Sequence, residues 1–231
     1  MSKILVLVPM KPNLHPELKL ICRENAQRLQ EGSSGFFLDI KIDERGSGDG
    51  HVKNHNERVA HTAAIRQAMV DEYLTDHDYV LWWDADLTII PNNLIGNLFS
   101  YYPDHEHAIL APWVYTENTK KDNDPCFYDT SGFIYKDHDG TLQKFNNHRP
   151  VITQGMVEHY YAYDMEGVGC CCIIPSQVYK LGAKHVPADI SNYTDWYSVC
   201  QFAKSKGFVV LSLPFVLVWH ADLNHYGEGW H

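Results

Sequence analysis

No stretch of about 18 apolar residues, the length a helix needs to cross a membrane, occurs in this 231-residue sequence. A small-residue cleavage site is also missing after Met1-Ser2-Lys3-Ile4-Leu5-Val6-Leu7-Val8-Pro9. Those residues therefore read as the first β-strand of a soluble, cytoplasmic protein without a membrane span. Basic residues are in the minority: 19 Lys and Arg against 29 Asp and Glu leave a net charge of −10. That balance argues against a large nucleic-acid footprint, which needs clustered cations, while leaving room for a local basic site. The six cysteines, Cys22, Cys126, Cys170, Cys171, Cys172 and Cys200, include three in a row. Such spacing suits neither a disulfide framework nor a Cys-x-x-Cys zinc site, and the thiols are expected reduced and mostly buried. Internal repeats and low-complexity tracts are absent, and the length suits one core better than two domains.

What is present alternates between strand and helix patterns. Ile4 to Val8 is a continuous apolar run of the kind buried in a parallel sheet, followed by a helical stretch from about Glu17 to Gln30. Phe36 to Ile42 supplies a second strand, ending in the Gly-rich Asp43-Glu44-Arg45-Gly46-Ser47-Gly48-Asp49-Gly50. Apolar positions from Asn56 to about Leu74 follow a helical period and lead into a third strand, Tyr79 to Trp83. A helix is expected over Pro91 to Tyr101, opened by its proline, and a strand over Ile109 to Val114. From Tyr115 to about His159 polar residues dominate, and a long irregular segment is expected. Helices near Ser176 to Leu181 and Thr194 to Lys206 follow, the second capped by Gly207, then two short strands around Pro214. The alternation argues for a doubly wound, Rossmann-like α/β layer with a mostly parallel central sheet flanked by helices, whose ligands collect at the carboxyl ends of the strands.

Four Asp-x-Asp triplets occur, and only Asp84-Ala85-Asp86 stands directly after a strand-forming run. In an extended segment residues i and i+2 share a face, so two carboxylates are expected to emerge side by side where a buried strand ends. They suit a hard divalent cation that in turn binds a diphosphate. The triplets Asp76/Asp78, Asp122/Asp124 and Asp137/Asp139 sit among His, Asn, Lys and Gly and read as solvated turns.

Several segments together resemble the nucleotide-sugar-dependent glycosyltransferases of the GT-A fold. Ile40 to Asp49 looks like the second-strand end of that family, Asp84-Ala85-Asp86 like its metal motif, Asp195 to Phe208 like the helix after its acidic catalytic or acceptor-site motif, and Val218-Trp219-His220 like the strand carrying a further metal ligand. Val80 to Asp86, Ala111 to Val114 and Glu166 to Gly169 are most similar to the fungal mannan-polymerase α-mannosyltransferases. No run resembling the membrane anchor of those Golgi enzymes is found in these 231 residues, and Thr194-Asp195 stands where many inverting members have Glu-Asp. The resemblance implies one GT-A domain over 1–231, with a nucleotide-sugar half to about 114 and an acceptor half with the metal-ligand strand from about 115.

It also implies roles. Asp86 coordinates a metal, joined by His220, while Asp84 binds the donor ribose or reaches the metal through water; Ala85, Pro9 and Met10 lie beside the nucleotide. A histidine ligand favours Mn²⁺, with Mg²⁺ as the alternative. Arg66 grips the donor diphosphate, with Arg58 as fallback, and Asp43 contacts the base or ribose. Asp195 either removes the acceptor proton or positions hydroxyls, and Glu166 is the competing carboxylate; Asp195 also reads as a helix N-terminal residue. Gly167 and Gly169 let the acceptor sugar approach the backbone, and Trp196, among the six tryptophans, offers a stacking face. The tail from Trp219 to His231 reads as a lid over the donor or as a disordered end. The expected partners are thus a nucleoside-diphosphate sugar, with UDP first, and a glycan or other hydroxyl acceptor. Two rivals remain: a nucleotidyltransferase, although Pro9-Met10-Lys11-Pro12-Asn13 has no glycine for a phosphate loop, and a non-catalytic binding module of the same fold.

Overall fold

The computed structural model describes residues 1–45, 55–117, 125–128, 132–144, 162–187 and 193–221. Its apolar run Ile4-Leu5-Val6-Leu7-Val8 has no solvent exposure, as expected for the inner strand β1 (Ser2–Pro9) of a sheet covered on both faces. Helix α1 (Pro16–Gly32) begins on a proline, whose missing N–H is no loss at a helix start, and buries Leu18, Cys22, Asn25, Ala26 and Leu29. Strand β2 (Phe36–Asp43), helix α2 (His55–Tyr73) and strand β3 (Tyr79–Trp83) complete the first βαβαβ unit. Then come β4 (Leu87–Ile89), α3 (Leu94–Tyr101), β5 (Ala108–Glu117), β6 (Pro125–Phe127), β7 (Ile134–Lys136), β8 (Leu142–Lys144), β9 (Tyr163–Asp164), β10 (Cys171–Pro175), α4 (Ser176–Lys180), α5 (Asp195–Ser205) and β11 (Val209–His220).

The main sheet has nine strands among the described residues, with the path β2-β1-β3-β10-β5-β11-β4 and with β6 and β9 beside β5 and β11. Strands β2, β1 and β3 run parallel, and β5 runs parallel to β11. Strand β10 is inserted antiparallel between β3 and β5. The two parallel groups therefore point the same way, and Pro9, Asp43, Trp83 and His220 all end their strands at one edge. Segments on both sides of residue 114 share this one sheet. The fold is α/β, with a mostly parallel central sheet shared by both halves of the described chain.

Several local expectations need correction. Helix α3 starts at Leu94, whose N–H bonds the carbonyl of Pro91 at 3.0 Å, so Pro91 precedes the helix and does not open it. The polar segment after Tyr115 contains β6, β7 and β8, too short to show a period of two. Strand β11 is continuous where two strands were expected; its register against β5 shifts between Leu213 and Leu217, where Pro214 has no N–H to give the ladder. Gly207 does end α5, with φ of +88° and its N–H on the carbonyl of Lys204. Five cysteines, Cys22, Cys170, Cys171, Cys172 and Cys200, are free and buried. Among the described residues no helix is long and apolar enough to cross a membrane.

Candidate active site

The site begins where β3 ends. Residues 84–86 leave the extended conformation and turn, with Leu87 N–H bonding the Asp84 carbonyl at 3.1 Å and Asp84 N–H bonding the Cys170 carbonyl at 2.9 Å. The side-by-side expectation for the two carboxylates assumed a strand, and in this turn they face different partners. The turn feeds β4, a three-residue strand that sequence periodicity cannot reveal, and β4 pairs antiparallel with the end of β11 so that Leu87 lies opposite His220. Ala221 N–H closes the contact on the Asp86 carbonyl at 2.9 Å. As a result Asp86 Oδ1 lies 3.1 Å from His220 Nε2, although 134 residues of sequence separate them, from position 86 to 220.

The chemistry of this pair is acceptor-rich. His220 Nδ1 sits 2.9 Å from the Ala221 carbonyl, which can only accept, so Nδ1 keeps its proton in both charge states: the charged ring points Nε2–H at Asp86, and loss of that proton leaves the Nε2 lone pair there. Asp86 Oδ1 is buried yet makes no hydrogen bond of good geometry, while the side chain as a whole is about a third exposed at 32%. Burial works against the charged forms of both, but their mutual attraction outweighs it, holding Asp86 at about 2 and His220 above its ordinary value. Tyr128 stacks on the imidazole with ring centroids 3.5 Å apart and planes 14° from parallel. A divalent cation fits a carboxylate oxygen without a donor beside an inward-facing imidazole nitrogen. Asp84 does not close a three-ligand cluster with them, because its Oδ1 is turned to Arg66.

Arg66, on α2, is buried and bridges two carboxylates: NH2 donates to Asp84 Oδ1 at 3.0 Å and NH1 to Asp195 Oδ1 at 2.7 Å. Its guanidinium carbon lies 4.5 Å from the ring centroid of Trp196. The other oxygen of Asp195 is 2.8 Å from His185 Nδ1, and His185 Nε2 is 3.0 Å from the Tyr179 hydroxyl. That hydroxyl accepts from Trp82 Nε1 at 3.0 Å. Burial pushes the Asp195 carboxyl upward, but Arg66 and His185 together hold it below the usual range. Burial is also the leading influence on Asp84, raising it against the pull of Arg66. His185 and Tyr179 were not singled out from sequence, and nothing in Lys184-His185-Val186-Pro187 signals their part in this chain of bonds.

Other expected residues are placed otherwise than foreseen. Asp195 was read as a base or an N-terminal cap; its side chain is almost wholly buried and both oxygens are engaged, while Thr194 at the N-cap makes no side-chain cap bond. Trp196 is 2% exposed, with Arg66 over its ring and His185 and Trp82 edge-on to it, so it presents no stacking face to an acceptor. Glu166 is buried against α5, bonded by Lys204 Nζ at 2.8 Å and Gln201 Nε2 at 2.9 Å, with Lys136 Nζ at 3.2 Å. Burial raises its carboxyl, and these donors more than reverse the shift, leaving it lowered. Gly167 exchanges both backbone bonds with Ile134, and a Cβ there would meet the Gly132 carbonyl at 3.2 Å. The glycine serves close packing against β7. Gly169 gives its carbonyl to Cys171 N–H, and between them Cys170 takes a φ of 62°, the left-handed region costly for a residue with a Cβ.

At the β2 end Asp43 is buried, accepting from Arg45 N–H at 2.9 Å, Arg45 Nε at 3.0 Å and the Tyr73 hydroxyl at 3.2 Å. Its carbonyl receives Met10 N–H at 2.8 Å, which ties the β1 end at Pro9 to the β2 end. Arg58 lies on α2 two turns before Arg66. Ala85, between the two aspartates, is buried. The Asp137–His138–Asp139 cluster brings ligand atoms within 4.8 Å, but Asp137 already accepts from Asp139 N–H, Thr141 N–H and Gln143, the pattern of an ordinary turn side chain. Asp78 accepts from Lys3 N–H at 2.8 Å and Asp76 pairs with the Lys3 ammonium at the opposite sheet edge. Asp122, Asp124, the Gly46 to Gly50 loop and the tail from Asp222 lie outside the described residues.

A family model described as Anp1 matches residues 39–166, more than half of the chain. The chain belongs to the Anp1 family. The matched span of this Anp1 protein carries Asp43, Arg66, Asp84 to Asp86 and Glu166, and it stops before Asp195 and His220. The chain is 27% identical over 163 residues to the vanadate resistance protein of Candida albicans, covering 62% of this chain and 36% of that protein. It is 24% identical over 162 residues to the VAN1 subunit of the mannan polymerase I complex of Saccharomyces cerevisiae, covering 62% of this chain and 30% of the subunit. The Anp1 chain thus aligns with about a third of the length of these curated relatives. Among solved structures, GalNAc-T7 with UDP, GalNAc and Mn²⁺ superposes with a TM-score of 0.56 at 12% identity, over 96% of this chain and 43% of that one. The likeness shows the GT-A fold, and with the relatives it makes the protein glycosyltransferase-like.

Proposed function

We propose that this Anp1 protein is a metal-dependent glycosyltransferase that moves a sugar from a nucleoside-diphosphate sugar to a hydroxyl of a glycan or other acceptor. The observation that carries the reading is the meeting of Asp86 and His220 across the β4 and β11 pairing, at the edge where β1, β2 and β3 end. Asp86 and His220 would hold the cation, Mn²⁺ before Mg²⁺ because one ligand is an imidazole. When bound, the cation supplies Lewis-acid stabilisation of the negative charge that grows on a diphosphate leaving group.

The rest is the work of the chain. Tyr128 fixes the plane of His220, and the Ala221 carbonyl fixes its tautomer. Arg66 orients Asp84 at the cation-facing turn and is itself held by Asp195, to which we assign an orienting role in place of the proton-accepting one expected. Lys11, after β1, adds positive potential at Asp86. Asp43 and the backbone at Pro9 and Met10 lie at the carboxyl ends of β2 and β1, beside the point between β1 and β3 where the strand order reverses and where open α/β sheets take nucleotides.

A thermal-shift panel of UDP, GDP, CMP and dTDP, each with and without Mn²⁺, tests the reading, because a ligand that binds only the native state raises the apparent Tm. UDP stands first because the resemblance implies it and because the fold neighbour was solved with it. A nucleoside diphosphate should stabilise more with Mn²⁺ than without, and the matching sugar donor should release that nucleotide over time. Equal shifts with and without Mn²⁺ across the whole panel would sink metal dependence, and binding without release would leave a binding module.

A further inference from the structure

We infer that Asp195 sets the charge that Asp84 presents to a bound divalent cation, by sharing the guanidinium of Arg66. The inference rests on the reading of Asp86 and His220 as a cation site with Asp84 beside it, and it concerns Asp195 and Arg66, which have no contact with the cation.

The bonds of the buried chain have a fixed direction. Trp82 Nε1 can only donate, so the Tyr179 oxygen accepts from it at 3.0 Å and the Tyr179 proton points to His185 Nε2 at 3.0 Å. His185 therefore carries its own proton on Nδ1 and donates it to Asp195 Oδ2 at 2.8 Å as a neutral ring. Burial holds the imidazole below its ordinary value, in keeping with that state. From the other side Arg66 donates to Asp195 Oδ1 at 2.7 Å and to Asp84 Oδ1 at 3.0 Å. Every donor thus runs toward a carboxylate.

Counting charge then gives one guanidinium for two carboxylates, a net of −1, with the shorter bond on the buried Asp195. Asp84, a third exposed at 33%, is the carboxylate left incompletely neutralised. If Asp195 were neutral, the whole guanidinium charge would fall on Asp84, and the cation would meet a balanced ion pair. Hydrogen-bonded orientation alone makes a different claim: any break in the chain would weaken binding, whatever its sign of charge.

The test is isothermal titration of Mn²⁺ alone into wild type, Asp195→Asn, Arg66→Met, the double variant and Asp86→Ala, with a melt recorded for each. Net charge on the three groups is −1 in wild type, 0 in Asp195→Asn, −2 in Arg66→Met and −1 in the double variant. Affinity should follow that order: about tenfold weaker in Asp195→Asn, tighter than wild type in Arg66→Met, and restored to within about threefold in the double variant. Any two of the three variants that melt cooperatively decide the matter. Weaker binding in Arg66→Met, an unchanged Asp195→Asn, or a double variant no better than Asp195→Asn would overturn the inference alone. Failure of wild type to bind Mn²⁺, or binding unchanged in Asp86→Ala, would overturn the cation site and the inference with it.

Discussion

The turn at Asp86 and the buried chain through Asp195 are both built from carboxylates beside a histidine, yet they are finished differently. Asp195 has a donor on each oxygen and is sealed between α2, α5 and the tryptophans, whereas Asp86 is a third exposed and has an oxygen with no hydrogen bond of good geometry. Buried polar groups are nearly always satisfied, so under the proposed function the open Asp86 oxygen is where a cation would complete the structure, whereas both Asp195 oxygens are completed by the protein itself. The same residue types therefore carry opposite meanings, and the difference lies in what surrounds them.

Asp86→Ala gives the largest expected effect: loss of all Mn²⁺-dependent nucleotide stabilisation with a Tm close to wild type, since a partly exposed turn carboxylate contributes little packing. Calorimetry and a melt on one sample check both halves, and unchanged nucleotide binding would remove Asp86 from the site. Asp195→Ala should do the reverse to stability, costing about 3 to 5 kcal/mol, because Arg66 is left buried with one partner removed. Urea unfolding measures it; a cost below about 1 kcal/mol would mean that the chain of bonds is not a support.

Acid separates the regions next. His220 lies above its ordinary value and a cation must displace its proton, so Mn²⁺ affinity should rise as pH climbs through that raised value. Glu166 is depressed in the folded state, so its contribution to stability is complete above the unfolded value of about 4.3 and fades as pH falls through the folded one. Glu166→Gln should flatten that acid limb and leave the Mn²⁺ profile alone. Cation affinity that ignores pH from 5 to 8, a range of about three units around the reference histidine value, would argue against His220 as a ligand. The smallest effect is that of Tyr128→Leu, where loss of a stacked ring worth about 0.5 to 1.5 kcal/mol should weaken Mn²⁺ binding about 2- to 10-fold. Affinity equal to wild type would mean that the Ala221 carbonyl alone fixes the ring.

Much of the scaffold was legible because it is local. The apolar run of β1, the helical period of α2 and the strand before Asp84 each announce themselves within a dozen residues, and the Val-Trp-His end of β11 was readable by resemblance. The partners of those residues were not. Arg66 meets Asp195 across 129 positions, and no pattern along the chain encodes that bond. Strand β4 was invisible because three residues cannot show alternation, although it is the element that brings His220 to Asp86. Trp196 and Glu166 were misplaced for a common reason: aromatic and acidic residues look available in a sequence, and only packing reveals that their faces and oxygens are already taken.

The register shift in β11 between Leu213 and Leu217 gives the last part of that strand the character of a ruler. Side chains alternate from face to face along a strand, so the number of residues from the irregularity to His220 decides which face the imidazole occupies. Losing one residue from this stretch while the ladder slid to compensate would swing His220 away from Asp86 without altering any residue at the site. Length there carries information of its own. Substitutions at Leu217, a residue 36% exposed, should be far better tolerated than any insertion or deletion beside it.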